Sequence, residues 1–494
     1  MQRYIYTMKL IPIYTWNKGV FEFNRRSGRL SKQPWFQGVL LMACVVVAML
    51  LANLPFTHEL YHDILETHMQ LHLYNADGNV DVLFPRDLTV EKFINDILMV
   101  VFFFTVGLEI RREVAHGELS SPKKAMLPVI AAFGGVIAPA LIYTLINHGS
   151  MAASGWGIPT ATDIAFAVCI LSMLGDKVPV SLKVFLTALA IADDLIAILV
   201  VALFYGGSIN FLLLGIALVV ILFTLLLRRI GEKHMFPYLF CAMIVWALFF
   251  YSGIHATMSG VVMAFLIPAT SRYNKAQYIH KRNRYLARLE KMDGIDEEPF
   301  PNGPQKHALR KLESIAHGTM DMSYRVEHAL TPWVNFLIMP IFALANAGVQ
   351  ITDPSFFNVF SYDAALGSVS MGIFLGLLLG KPVGITLFSW LAIKLKVGAM
   401  PEKANWPMFF AVACLGGIGF TMSIFVDTLS FGEQAPDVMM HLRDAGKIAV
   451  LMGSICAGLL GSVLIHVVSK FNRKYRQRVA YSKIIATFAF PLPL

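Results

Sequence analysis

Apolar runs of about 15–25 residues, separated by short polar stretches, recur from residue 37 to residue 468 of this 494-residue chain. A helix needs about 20 apolar residues to cross a bilayer. The pattern therefore predicts an all-α polytopic membrane protein of about twelve transmembrane helices, at roughly 37–54, 94–113, 125–146, 156–174, 180–204, 211–228, 236–251, 254–268, 332–347, 369–393, 408–426 and 447–468. Two spans do not read as uniform helices. Span four is interrupted by Pro159 and the run Thr160-Ala161-Thr162-Asp163, and span eleven by Leu415-Gly416-Gly417-Ile418-Gly419. A break inside lipid survives only where protein or a water-filled cavity satisfies the freed backbone. Spans three to five and ten to twelve each have their middle member interrupted, which points to inverted-topology repeats with a site between them.

The remaining segments are polar. Residues 1–36 read as a basic cytoplasmic extension near anionic headgroups, 37–468 as the transmembrane domain and 469–494 as a cytoplasmic tail. An acidic outer loop at about 55–92 has short extended runs around Asp77-Gly78, a hairpin signal. An isolated hairpin is marginal in water, so it pairs either within its own loop or with a second copy of the chain. The insertion at 269–331 combines a basic amphipathic part (Lys281–Lys291), a Pro-rich hinge (Glu298–Pro304) and a second helical part (His307–Ile315), with too few apolar residues for a folded domain.

Composition and charge sharpen this picture. The chain is 56% hydrophobic and 15% charged, which excludes an ordinary soluble enzyme. The net charge of +9 is a matter of topology, not of nucleic-acid binding. If alternate loops face opposite sides, 36 of the 41 Lys/Arg residues lie on the side of both termini, four lie on the other, and Lys381 falls within a span. By the positive-inside rule both termini are cytoplasmic and the span number is even. No short apolar core precedes residue 37 to suggest a cleaved signal, and the five cysteines all lie in apolar runs, unlike a disulfide framework.

The candidate chemistry is acidic and lies at mid-membrane. Asp193 is the fourteenth of 25 residues in span five, with Asp194 beside it. Placing one such side chain there costs roughly 2.5–3.5 kcal/mol, and two neighbouring like charges resist joint ionisation. Asp163 stands at the break in span four, where half-helix N-termini favour a carboxylate. Lys381, near the middle of span ten, needs a carboxylate partner. The string Gly376–Pro382 lacks the spacing and the Ser/Thr of a phosphate-binding loop. Glu109 and Glu113 lie i,i+4 at the cytoplasmic end of span two, and the residues alone suggest only a charged helix end; His255 alone reads as a packed histidine.

Gly157-Ile158-Pro159-Thr160-Ala161-Thr162-Asp163-Ile164-Ala165-Phe166 resembles the fourth-span motif of NhaA-type sodium/proton antiporters. Ala190–Leu195, Val106–Glu109, Gly253–Thr257, Phe342–Gly348 and Gly417–Ser423 are similar to that family's other motifs, in order along nearly the whole hydrophobic chain. The resemblance implies crossed broken helices four and eleven, and electrogenic exchange of more than one proton per sodium or lithium ion without a cofactor. It implies that Asp194 is the principal sodium carboxylate, Asp193 its partner held by Lys381, Asp163 the balance to the helix dipoles, and Thr162 an auxiliary oxygen ligand. A cytoplasmic pH-sensing cluster maps onto Glu109, Arg112, Glu113, His255 and Glu327, and the outer hairpin onto a homodimer contact. The expected setting is a bacterial inner membrane, and the expected process is sodium export with pH homeostasis. The departures are the N-terminal extension and the insertion before Glu327.

Three other classes share parts of this pattern. An intramembrane aspartyl protease would be expected to carry Gly-x-Gly-Asp, which is absent, and the only Tyr-Asp pair, Tyr362-Asp363, falls in an outer loop. A sodium-driven solute symporter on a similar inverted-repeat fold needs a further polar pocket within the spans. A non-transporting sensor would use the large insertion.

Overall fold

A computed structural model describes residues 34–489, apart from 70–71, 75–79, 83–87, 118, 207–208, 233, 272, 293–302, 352–358, 361–366 and 432–436. The expectations for most of the N-terminal extension, for most of the Pro-rich hinge and for Tyr362-Asp363 lie outside these residues. In chain order the helices are α1 (Pro34–Asn53), α2 (His58–Glu66), α3 (Val90–Ala115), α4 (Pro122–Ile146), α5 (a 3₁₀ segment, Met151–Thr160), α6 (Ile164–Met173), α7 (Val180–Phe204), α8 (Phe211–Ile230) and α9 (Met235–Ser252). They continue as α10 (Thr257–Leu266), α11 (Lys275–Met292), α12 (Gly303–Thr319), α13 (Met322–Asn346), α14 (Val369–Lys394), α15 (Trp406–Leu415), α16 (Phe420–Ser430) and α17 (Asp437–Ala489). Among the described residues, nine helices are long and apolar enough to cross a membrane. Two bent pairs, α5–α6 at 43° and α15–α16 at 51°, add two broken spans, and the shorter apolar α10 completes the twelve predicted positions.

Local chemistry sets the helix ends. Asn210, Asn405, Asp321 and Ser368 accept backbone N–H bonds at the starts of α8, α15, α13 and α14. Gly231 and Gly253, both with φ of 85°, close α8 and α9 in the left-handed conformation that a side chain resists. In the outer loop, strands His72–Tyr74 and Val80–Val82 pair antiparallel with His72 opposite Val82, and the expected Asp77-Gly78 turn lies outside the described residues.

Three boundaries differ from the sequence reading. α2 lies inside what reads as outer loop. It is short and polar, and is anchored by Tyr61, whose hydroxyl donates to the Leu344 carbonyl at 2.6 Å. α13 begins at Met322, about ten residues before the apolar run, because Asp321 caps a turn whose charged residues disguise it. Glu327 is therefore on a helix rather than in the insertion. The basic tail continues α17 to Ala489.

The chain divides into two compact units. The first comprises residues 1–65, 123–197 and 340–494. Within it α4 and α14 approach so closely at Gly134 and Gly384 that a β-carbon on either would strike the other's backbone carbonyl. The second comprises residues 66–122 and 198–339. Its core joins Phe104 and Leu108 of α3, Tyr238 and Val245 of α9, Met263 and Ala264 of α10 and Val326 of α13. The five cysteines are free.

Candidate ion site at the crossed helix breaks

The two broken spans meet at their breaks in the first unit. The Asp163 N–H donates to the Ile418 carbonyl at 2.6 Å, and the Thr162 hydroxyl to the Gly416 carbonyl at 2.9 Å. Each break leaves the N-terminus of a half-helix with unpaired donors and positive partial charge. A single carboxylate answers both. Asp163 Oδ1 accepts from Phe166 N–H at 3.1 Å, capping α6, while Oδ2 accepts the Thr421 N–H at 3.1 Å and the Thr421 hydroxyl, capping α16. The Ser454 hydroxyl accepts the N–H groups of Gly419 and Phe420, each at 3.2 Å.

Beside this crossing α14 delivers a lysine. Pro382 has no N–H to donate to the preceding turn, and the helix widens into a π-turn over Gly376–Gly380 just before Lys381. Gly376 and Gly380 let α14 lie against Pro159 and Pro139, where a β-carbon would come within 2.7 and 2.8 Å respectively. Lys381 Nζ donates to Thr162 Oγ1 at 2.6 Å and to Asp193 Oδ2. Lys381 is 0% exposed, Asp193 1% and Asp194 3%, so the pair has no water to fall back on. Among the described residues, the other oxygen of Asp193 has no hydrogen bond. Asp194 follows on α7, close enough to act electrostatically on the Lys381 ammonium.

All five residues expected at the ion site thus lie buried in this unit. Asp163 and Thr162 sit at the breaks, Asp193 is joined to Lys381, and Asp194 is adjacent. The residue that sequence reasoning passed over is Thr421, which holds Asp163 from the second half-helix. Its signal was its place one residue after the start of an interrupted helix.

In the second unit, Arg112 gathers three carboxylates. It lies 3.7 Å from Glu109 and 3.4 Å from Glu113, and donates to Glu327 Oε1. His255 is not joined to them. Its Nε2 donates to the Tyr205 carbonyl.

Membrane-crossing helices with buried, mutually compensating charges where two breaks cross define a multi-pass helical membrane protein built around a polar point. Residues 29–465 match the family Na+/H+ antiporter 1, and the chain belongs to it. The chain is 43% identical to a Na(+)/H(+) antiporter NhaA of Oleidesulfovibrio alaskensis over 87% of its own length and 91% of that protein's. It is 41% identical to the protein of that name from Acidithiobacillus ferrooxidans (88% and 95%) and 40% identical to that of Sulfurimonas denitrificans (88% and 93%).

The Lys381–Asp193 pair makes a stability prediction. Removing one partner of a buried ion pair costs about 3–5 kcal/mol, whereas removing both is far cheaper. Lys381→Met should lower the thermal unfolding midpoint of the detergent-solubilised protein, and Asp193→Asn added to it should restore part of the loss. A double variant as unstable as the sum of the two singles would count against the pairing.

Proposed function

We propose that this chain exchanges sodium or lithium ions for protons, electrogenically, across a bacterial inner membrane. The observation that carries the reading is the Lys381–Asp193 pair, buried beside Asp194 where two helix breaks cross. Sodium is a hard cation and takes oxygen ligands. Asp194 and Asp193, the Thr162 hydroxyl and the carbonyls freed at the breaks are such ligands, and no cofactor is needed. An ion arriving at these carboxylates takes the place of a proton on Asp194 and displaces Lys381 from Asp193, and the freed ammonium gives up a second proton. Protons returning restore the pair and expel the ion. One set of groups thus holds either load, and coupling follows without a separate device. Taking more than one proton per sodium makes the cycle electrogenic, so an inside-negative potential drives sodium outward and supports pH homeostasis and salt tolerance.

The Lys/Arg asymmetry supports cytoplasmic termini. The paired strands at residues 72–74 and 80–82 support a homodimer contact, since two short strands alone are marginal. Three carboxylates around one guanidinium support a pH response, because proton uptake changes the cluster's net charge and loosens its hold on Arg112.

In proteoliposomes a sodium gradient should drive proton movement in the absence of any organic solute, and Asp194→Asn should reduce it to the rate of protein-free vesicles. Retained exchange in that variant removes Asp194 from the mechanism. Glu327→Gln copies the protonated carboxyl, so its half-activation should move to more alkaline pH. An unmoved profile would exclude the cluster as the sensor.

A further inference from the structure

Among the described residues, one buried acid stands apart from both the ion site and the Arg112 cluster. Asp427 lies on α16, ten residues after the crossing and near the far end of that half-helix, and is 0% exposed. Neither of its carboxyl oxygens has a hydrogen bond among the described residues. One turn earlier on the same face, Ser423 is also 0% exposed and its hydroxyl also lacks a partner. The backbone of α17 passes directly over the acid, since a β-carbon at Gly446 would collide with the Asp427 carboxyl group. Lys447 (5% exposed) and Arg443 of α17 act on it as attractive charges, and Asp444 opposes them.

A carboxylate with no hydrogen bond in low dielectric is costly unless something else occupies it. A helix lock would be expected to place a donor on it, as Asp163 has at the crossing. Ser423 also faces back toward that crossing, because a β-carbon at Gly419 would meet both its hydroxyl and, at 3.0 Å, the Ala161 carbonyl oxygen. Oxygen donors therefore continue from the crossing along α16 to Asp427. By the charge asymmetry, this half of α16 leads toward the outer face.

We propose that Asp427, with Ser423, is a second binding station for the transported alkali cation, between the crossing and the outer face, and that Lys447 is the counter-charge holding Asp427 when no cation is there. The inference rests on the antiporter reading and deepens it. Sodium leaving the crossing displaces Lys447 from Asp427 before release, as it displaces Lys381 from Asp193 at the crossing. No bond forms or breaks, and only charge partners exchange.

The test measures exchange in everted and right-side-out membrane vesicles containing the full chain, with sodium supplied from one face at a time. Asp427→Asn should raise the apparent KM for outer sodium about tenfold and leave the inner-face KM nearly unchanged. Lys447→Met, which frees the carboxylate, should lower the outer KM, and Asp427→Glu should resemble the parent. An unchanged outer KM in a folded Asp427→Asn, or equal changes at both faces, overturns the proposal. An effect on proton but not sodium kinetics overturns it too. If Asp427→Asn does not fold, the direction of the Lys447→Met shift decides. Absence of exchange by the parent chain in the same vesicles would reject the antiporter reading instead.

Discussion

The Lys381 ammonium and the Asp193 carboxylate are buried together, and neither has water as an alternative partner. In such a place a charge persists only while an opposite charge or a set of oriented dipoles compensates it. That constraint accounts for the lysine's second bond, to a threonine at a helix break, and glycines that bring α14 against its neighbours help to meet it. It also makes the pair exchangeable. In the proposed cycle an arriving cation takes the place of the ammonium, and local charge is kept because the lysine loses its proton.

The breaks obey the same constraint. Two half-helices in one unit aim their N-termini at a common point, and the unpaired N–H groups there would be prohibitive in lipid. Asp163 meets both ends with one side chain, helped by Thr421 and Ser454. The carbonyls on the other side of each break remain as oxygen donors, and Gly416 and Ile418 already accept from Thr162 and Asp163. A structure that solves the backbone problem of a broken helix in this way builds a polar, cation-tolerant point inside the membrane as a by-product.

Much of this was legible in the residues. The twelve apolar runs coincide with helices or bent helix pairs, because burial in lipid writes itself directly into hydrophobic length. Asp163, Asp193, Asp194 and Lys381 declared themselves by cost, being ionisable groups in the middle of apolar runs. Pairing was harder to read. Lys381 stands 188 residues from Asp193 and 219 from Thr162, and sequence pattern carries no signal across such distances except through resemblance. Boundaries failed where polarity hid a helix, as at Met322–Trp333, which put Glu327 in a loop. Asp427 escaped notice because the apolar run of span eleven ends one residue before it, although α16 continues to Ser430. His255 matched a motif, and its ring bonds to the Tyr205 carbonyl rather than to the acids around Arg112.

The most direct test of shared occupancy is to count protons released as sodium binds to the purified protein in weak buffer, followed by a pH indicator and calorimetry. Competition at one set of carboxylates predicts that each bound sodium expels more than one proton, that an equal concentration of choline expels none, and that Asp194→Asn abolishes the release. Sodium binding of normal affinity with no protons released would mean that ion and proton occupy separate sites, and would contradict the account.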